Sequence, residues 1–390
     1  MTLFTLFNQL YTYSVGNTIR YPDEAEYLRL AEHLASSGHY TLNGSTPTAY
    51  RPPAYPLLLA AGMKLGLPVT TLRMANALSL LACMAFLYLL LRKSNVTQAQ
   101  IAVLLVMGYP VLLYTASTFY PQIPAAALLM AVVLILFSVP APGVRRFLYS
   151  GILLSIAILL VPTFAFTLLF TPLFFAWHTP RREWILNTAA MTLGALLLLS
   201  PWIARNAIVF GHFIPVSTNN GISLLTGNNE EATPNSGVTV GLTKHLLAAK
   251  DLDEIEADKY YRDTALDFIR THPGEAFTLY LAKAANYYNF RNKLAVQSES
   301  SPTRDLIMLI TYGTLLGAAL LRIVLWGRYP FNKLERYTLY LYCLNGFFSA
   351  LFFTRIRFRL PMDILLVILA SAGICILLQK WKTPPRATLP

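Results

Sequence analysis

Residues 20–56 have the sequence RYPDEAEYLRLAEHLASSGHYTLNGSTPTAYRPPAYP, which is the most polar stretch in the first half of the chain. A long series of apolar segments follows it. Asp23 and Glu24 are adjacent acids at the start of a helical pattern, and Gly38 suits the end of that helix. Arg51 precedes two prolines, which favour an extended backbone at that position. The stretch therefore predicts a polar loop and a short helix at the surface of an apolar body.

The composition of the chain is that of a membrane protein. Its 390 residues are 55% hydrophobic and only 13% charged, with a mean hydropathy of +0.49. An ordinary soluble domain carries about 25% charged residues. The net charge of +12 comes mostly from basic residues in short links between apolar runs, not from one clustered basic face. We therefore expect an all-α integral membrane protein with membrane lipids around it and no nucleic-acid partner.

Apolar runs predict about ten membrane spans, each needing roughly 20 residues. The first is marginal because polar residues interrupt it. Two of the others are short and are divided at a Val-Pro-Thr sequence. The predicted spans are about 1–19, 71–91, 98–116, 121–139, 146–161, 163–178, 184–200, 304–326, 337–353 and 362–380.

The basic links orient these spans. Pairs such as Arg92-Lys93 and Arg181-Arg182 fall on one side if every span crosses, and that side is cytoplasmic by the positive-inside rule. The outer face then receives a first loop and a second polar region with amphipathic helices at about 242–271 and 274–290. The predicted regions are an N-terminal membrane region 1–200 with its outer loop 20–70, an outer-face region 201–302, and a three-span region 303–390.

Asp23 and Glu24 are the first candidates for chemistry. The predicted spans have almost no ionisable residue at mid-depth, which argues against a proton-coupled carrier. Adjacent residues on a helix diverge by about 100°, so the two acids need not act as one pair. One could act as a general base while the other caps the helix or binds a metal ion. Simple capping of the helix N-terminus is the alternative for both.

Four arginines are candidates for binding a phosphate. The two prolines after Arg51 stiffen its backbone, and its forked guanidinium suits a pair of phosphate oxygens. Arg355, Arg357 and Arg359 alternate, so an extended backbone would turn all three to one side. Asp363 is a candidate partner for one of them. The alternative is contact with lipid headgroups.

Three groups of residues together resemble bacterial GT-C glycosyltransferases, the relatives of protein O-mannosyltransferases and of the lipid A aminoarabinose transferase. The first group resembles their first outer loop, the second the segment after their central spans, and the third the start of their last spans. The groups are Pro22-Asp23-Glu24-x-x-Tyr27 with Gly38-x-Tyr40 and Arg51-Pro52-Pro53-x-Tyr55-Pro56, then Ser200-Pro201-Trp202-x-x-Arg205-Asn206, and finally Arg355-x-Arg357-Phe358-x-x-Pro361.

This resemblance implies a GT-C-like multi-spanning fold and a hexosyl- or pentosyltransferase. A polyprenyl-phosphate-linked sugar would be the donor, and a lipid, glycan or protein the acceptor. Transfer would be inverting and would occur on the outer face of the bacterial cytoplasmic membrane. Asp23 would be the catalytic acid with Glu24 beside it. The resemblance leaves the use of a divalent metal ion open; Asp23 and Glu24 would be its ligands.

The remaining assignments follow from the same resemblance. The phosphate-binding residues would be Arg51, Arg355, Arg357 and Arg359. The substrate-binding residues would be Tyr27, Tyr55, Arg205, Asn206, Lys283, Tyr287 and Tyr288. Two other functions stay open, a transporter or flippase of a lipid-linked sugar and a polymerase or ligase of lipid-linked glycans. A non-catalytic scaffold is open as well, because Gln122 and Val161 stand where relatives often have Glu and Arg.

Overall fold

The computed structural model describes residues 2–235, 237, 241–291 and 301–382. Within these ranges the chain is helical, and the one β feature is an isolated bridge between Thr41 and Pro47. The all-α prediction is therefore confirmed for the described part of the chain. The helices of the first half are α1 (Thr2–Val15), α2 (Pro22–Ser37), α3 (Ala54–Lys64), α4 (Val69–Arg92), α5 (Val96–Met107), α6 (Pro110–Ala116), α7 (Gln122–Ser138), α8 (Gly143–Leu160) and α9 (Phe164–Ala176).

The second half begins with the longest helix of the described chain and ends with the most enclosed one. Its helices are α10 (Arg181–Phe210), α11 (Asn220–Gly227), α12 (Thr243–Ala248), α13 (Glu254–Thr271), α14 (Pro273–Tyr287), α15 (Pro302–Val324), α16 (Lys333–Ser349) and α17 (Ile356–Lys382).

Five of these helices are long and apolar enough to cross a membrane, or six if the bent pair α5 and α6 counts as one span. The chain is accordingly a multi-pass membrane protein. The other predicted spans correspond to shorter helices, and the total of about ten crossings stays a prediction. The five helical stretches are Val69–Arg92, Gly143–Leu160, Arg181–Phe210, Pro302–Gly327 and Ile356–Gln379.

Helix α17 lies at the centre of the membrane body. It packs against α5, α7, α15 and α16, and 83% of its apolar window is buried inside the protein. Helices α8 and α10 form another close pair. A side chain on Gly151 would collide with the backbone of Met191, and one on Gly194 with the backbone of Leu148. Small residues at such positions let helix backbones approach each other in a membrane.

Local signals placed several helix ends correctly. Helix α2 ends at Gly38, whose φ of 76° lies in the left-handed region that glycine adopts readily. The predicted division at Val161-Pro162 is confirmed, because α8 ends at Leu160 and α9 begins at Phe164. The predicted break at Pro273 is also confirmed, since α14 begins there.

Three predicted elements are wrong in detail. The span 98–116 is not one straight helix, since α5 and α6 meet at 63° just before Pro110, which cannot donate a helical hydrogen bond. Helix α10 does not end at Pro201 but continues to Phe210. A long helix tolerates one proline because only one backbone bond is lost. The pattern 242–271 is two helices, since Asp253 starts α13 with a capping box.

Candidate functional site

Asp23 joins three segments that are far apart in the sequence. It lies in the first turn of α2, and its two carboxylate oxygens accept hydrogen bonds from different arginines. Arg51 Nη2 lies 2.7 Å from Oδ1, and Arg357 Nη1 lies 2.5 Å from Oδ2. The side chain is 21% exposed, so a ligand can reach it. Asp23 makes no capping hydrogen bond to the start of α2.

The charge of Asp23 is favoured by these contacts. Burial of the carboxyl group raises its pKa, while the guanidinium groups of Arg357 and Arg51 lower it. The attraction to the two arginines prevails, and the pKa lies below its ordinary value of 3.8. Asp23 is therefore ionised at neutral pH and poorly basic while both arginines hold it.

Arg51 is held from several directions. It contacts Glu26 at 2.7 Å in addition to Asp23, and its guanidinium lies 5.4 Å from the ring centre of Tyr27 and 5.2 Å from that of Tyr50. The hydroxyl of Tyr40 donates to the Arg51 carbonyl oxygen at 2.9 Å, which anchors the backbone. Arg51 is thus a pre-oriented cation between two acids, with little freedom to leave them.

The extended geometry predicted for Arg355, Arg357 and Arg359 is wrong. Helix α17 begins at Ile356, and residues two apart on a helix point about 200° apart. Arg357 therefore turns toward Asp23, whereas Arg359 turns into the protein and pairs with Asp363 at 2.9 Å. That second pair is fully buried. The predicted partnership with Asp363 is confirmed for Arg359, which lies away from the Asp23 cluster.

Arg355 and Arg357 border the exposed side of the Asp23 cluster. The guanidinium of Arg357 lies 5.0 Å from the ring centre of Tyr120, and Tyr120 stacks on Tyr21. Arg355 lies against Gly237, where an added side chain would collide with its guanidinium. Burial and the neighbouring Arg357 lower the pKa of Arg355. Within the described ranges Arg355 forms no ion pair, so this part of the cluster carries a cation without a matching acid.

The cluster as a whole is positively charged. The three guanidinium groups face two carboxylates, which leaves one positive charge in excess. Its members are Asp23, Glu26, Arg51, Arg355 and Arg357. Such a surface attracts an anion, and guanidinium forks suit phosphate oxygens.

Glu24 belongs to a separate, fully buried cluster. Its carboxylate accepts hydrogen bonds from the backbone N–H groups of Phe119 at 2.8 Å and Arg20 at 3.1 Å, and it pairs with Arg73 at 3.3 Å. Arg73 also donates to the carbonyl oxygens of Ser117 and Thr18. Neither Glu24 nor Arg73 is exposed. These contacts tie the start of α2 to the segment between α6 and α7.

The two acids do not form a joint metal site. Asp23 and Glu24 point into different clusters, and each carboxylate is occupied by arginine. Among the described residues no group of three or more His, Cys, Asp or Glu side chains comes together in a way that could hold a metal ion. We derive no chemical step through a metal.

The aromatic residues predicted to bind substrate near Asp23 are largely interior. The rings of Tyr27 and Tyr55 meet edge to face at 5.3 Å, and both side chains are buried. The hydroxyl of Tyr55 donates to Asn76 at 3.2 Å. Tyr27 lies beside Arg51, as described above. The pair therefore packs α2 against α3 beneath the cluster.

Arg205 and Asn206 connect α10 to the first loop. Arg205 donates to the carbonyl oxygen of Thr48 at 2.9 Å, and its guanidinium lies over the rings of Tyr40 and Trp202. Asn206 is buried and donates to the carbonyl oxygen of Ile214 at 3.0 Å. Their contacts in the structure are with the protein's own backbone and rings.

Lys283 links three segments behind the arginines. Its ammonium group donates to the carbonyl oxygens of Gly227 at 2.8 Å and Phe352 at 2.9 Å and to Asn228 Oδ1 at 3.1 Å. Burial lowers its pKa to about 8. Tyr287 is buried and donates to Asn345, while Tyr288 is partly exposed. Lys283 thus supports the link that leads to Arg355.

Two acids were missed by the sequence analysis. Glu26 lies three residues after Asp23, and that spacing on a helix could have indicated a shared face. Glu254 accepts hydrogen bonds from the backbone of Ala49 at 2.8 Å and from the hydroxyls of Thr48 and Thr218, each at 2.6 Å. It fastens the first loop to α13, and no local signal reveals a contact across this distance in the chain.

Comparison with known proteins adds a family resemblance. Residues 50–204 match the family model described as dolichyl-phosphate-mannose-protein mannosyltransferase. The predicted resemblance is thereby confirmed over this part of the chain, which includes Arg51 but neither Asp23 nor Arg357. A comparison with curated proteins gives no match.

Two solved structures are similar to the chain over nearly its whole length. Crystal structures of ArnT from Cupriavidus metallidurans, one bound to undecaprenyl phosphate and one in the apo state, are each 14% identical to it, with TM-scores of 0.46 and 0.45. Each comparison covers 99% of this chain and 81% of the ArnT chain. At this identity and TM-score the likeness does not by itself establish a common fold.

Proposed function

We propose that this protein is a membrane glycosyltransferase with a GT-C-like fold that transfers a hexosyl or pentosyl group from a polyprenyl-phosphate-linked donor. The observation that carries the proposal is the partly exposed Asp23, which is held by Arg51 and Arg357 in a cluster with an excess of positive charge. The cluster joins a potential proton acceptor to a surface suited to a phosphate leaving group. The family-model match over residues 50–204 supports the same reaction class.

The chemistry assigns a separate role to each side of the cluster. An acceptor hydroxyl or amine attacks the anomeric carbon, the bond from that carbon to the phosphate oxygen breaks, and the phosphate leaves with the bonding electrons. Asp23 takes the proton from the acceptor, and the configuration at the anomeric carbon inverts. Arg355 and Arg357 stabilise the charge that develops on the leaving phosphate. Arg51 keeps Asp23 in position.

Not every predicted residue has a direct role in this proposal. Glu24 and Arg359 act structurally, because each is fully buried in its own ion pair. Tyr27, Tyr55 and Lys283 support the cluster from behind. The acceptor, which is a lipid, a glycan or a protein, approaches from the side formed by residues 201–302.

We place the reaction on the outer face of the bacterial cytoplasmic membrane. The positive-inside rule supports this placement, since the paired basic residues in the short links would lie in the cytoplasm. The first loop, residues 20–70, and the region 201–302 would then lie outside together. Contacts between the two regions fit that arrangement, because Thr48 accepts from Arg205 through its carbonyl and donates to Glu254 through its hydroxyl.

A donor-turnover assay tests the proposal. Purified protein in lipid receives a panel of polyprenyl-phosphate sugars and an extract of envelope lipids and proteins, and released polyprenyl phosphate is measured. We expect Asp23→Asn to lower turnover by about 10²- to 10⁴-fold, the usual contribution of a general base. Asp251→Asn is a matched control, because Asp251 is 87% exposed and lies outside the cluster.

The other functions give different results in this assay. Full turnover by Asp23→Asn would remove Asp23 from the mechanism. Release of polyprenyl diphosphate would favour a polymerase or ligase. Movement of the lipid-linked sugar across the bilayer without release would favour a flippase. Absence of both movement and release, with every donor, would contradict the transferase and favour a scaffold.

A further inference from the structure

The carboxylate of Asp23 occupies the cation that a donor phosphate would need. Arg357 is directed at Asp23 Oδ2 at 2.5 Å, and in the described part of the chain this is its one ion pair. A phosphate cannot make close hydrogen bonds to the same guanidinium edge while the carboxylate remains there. From this juxtaposition we infer that the donor's phosphate displaces Asp23 from Arg357 and that this exchange activates Asp23. The inference rests on the proposed function and specifies an order for its steps.

Arg357 can exchange partners more readily than Arg51. Arg51 contacts both Asp23 and Glu26 at 2.7 Å and lies between the rings of Tyr27 and Tyr50. Loss of Asp23 would still leave Arg51 paired with Glu26. Arg357 has no second acid within the described ranges, and its side chain is 29% exposed. An incoming anion therefore meets an accessible cation that has a single competitor.

Arg355 makes the exchange favourable for a phosphate in particular. It lies beside Arg357 and forms no ion pair in the described structure, so its charge is available. A phosphate has enough oxygen atoms to engage two guanidinium groups together, and charge-assisted hydrogen bonds of this kind are the strong ones. The carboxylate of Asp23 is fixed to α2 and faces Arg357 alone on this side. Binding of the phosphate therefore gains a cation that Asp23 does not use.

The exchange couples donor binding to proton transfer. Before the donor binds, Asp23 is held by two cations, and their attraction lowers its pKa. After the exchange one of those cations is paired with the phosphate, and Asp23 becomes a better proton acceptor while Arg51 holds it in place. The acceptor is thus activated only when a donor is present. The device limits attack on a donor that is not correctly seated.

Binding of a polyprenyl monophosphate to purified protein in nanodiscs tests the exchange without turnover. We expect Asp23→Asn to bind this lipid about tenfold more tightly than the wild type, because one charge-assisted competitor is removed. Glu26→Gln is the matched control, since Glu26 contacts Arg51 but not Arg357. Its affinity should stay within about threefold of the wild type. Arg357→Gln should bind more weakly.

A double-mutant cycle makes the result specific to the Asp23–Arg357 pair. In the Arg357→Gln background, the change Asp23→Asn should give no gain in affinity, because the contested cation is absent. Asp23→Ala provides a second removal of the carboxylate and should reproduce the gain. Thermal unfolding of each variant confirms that the comparison concerns folded protein.

Each outcome decides a separate question. If the wild type binds no polyprenyl phosphate and turns over no donor, the proposed function fails. If the wild type binds and turns over its donor, but Asp23→Asn binds equally or more weakly, the function stands and the exchange is refuted. Vesicles of phosphatidylglycerol separate the two sources of lipid phosphate. An equal gain in affinity for that lipid would assign the exchange to membrane headgroups and overturn its link to the donor.

Discussion

Replacement of Glu24 by alanine is expected to damage stability far more than replacement of its neighbour. Glu24 and Arg73 are both fully buried, and Glu24 is the acid paired with Arg73 in the described structure. Breaking a buried pair by removing one partner costs about 3–5 kcal/mol, because a charge is left uncompensated. The backbone N–H of Phe119, now 2.8 Å from the carboxylate, also loses its acceptor, at about 1–3 kcal/mol. The expected loss is therefore about 4 kcal/mol or more.

Thiol reactivity on heating measures this loss. Cys83 and Cys375 are buried, so a thiol-reactive dye reports unfolding, while the exposed Cys343 sets the baseline. A loss of about 4 kcal/mol corresponds to a fall in Tm of about 8 °C or more. Asp23→Asn should shift Tm by less than about 2 °C, since exposed or partly exposed ion pairs contribute little.

The comparison within the Glu24 position sharpens the test. Glu24→Gln keeps an oxygen for the Phe119 N–H but removes the charge, so its Tm should fall between those of the wild type and Glu24→Ala. If Glu24→Ala unfolds at the wild-type temperature, the buried pair is not structural, and Glu24 returns as a candidate for the chemistry.

Two further predictions concern packing and pH. Gly151→Leu should separate α8 from α10 and lower Tm by several degrees, because a side chain there meets the backbone of Met191; Gly313→Leu is the matched control, since nothing lies within 4 Å of that position. A control that falls equally would refute the packing argument. Burial lowers the pKa of Lys283 from 10.5 to about 8, so the folded protein binds this proton less tightly than the unfolded chain. Stability should therefore rise between pH values of about 8 and about 10.5, and Lys283→Met should lack this rise in thermal unfolding. An identical pH profile in the variant would exclude Lys283 as its source.

Local patterns were sufficient for much of the helical framework. Acids at the start of α2 and Gly38 after its end determine where that helix lies, because capping, dipole and backbone conformation involve only neighbouring residues. The division after Leu160 follows from Pro162 in the same way. The long apolar runs identify a membrane protein because lipid excludes charged side chains whatever their tertiary contacts.

Other features depend on contacts that no local pattern encodes. The prolines at positions 110 and 201 have different outcomes, a bend of 63° at α5–α6 and continuation of α10. Proline removes the same donor in both places, but the surrounding helices decide whether the chain turns. The alternating arginines suggested an extended run, yet the start of α17 at Ile356 makes them helical.

The sequence by itself determined that this is a helical membrane protein with a polar loop carrying Asp23 and Arg51, since composition and local spacing are sufficient for both. Only the tertiary structure decided which acid is available for chemistry. Asp23 meets Arg357 across 334 positions of the chain, whereas Glu24, its direct neighbour, turns inward to Arg73. Adjacent positions on a helix face different surroundings, and the packing of distant helices determines what those surroundings are.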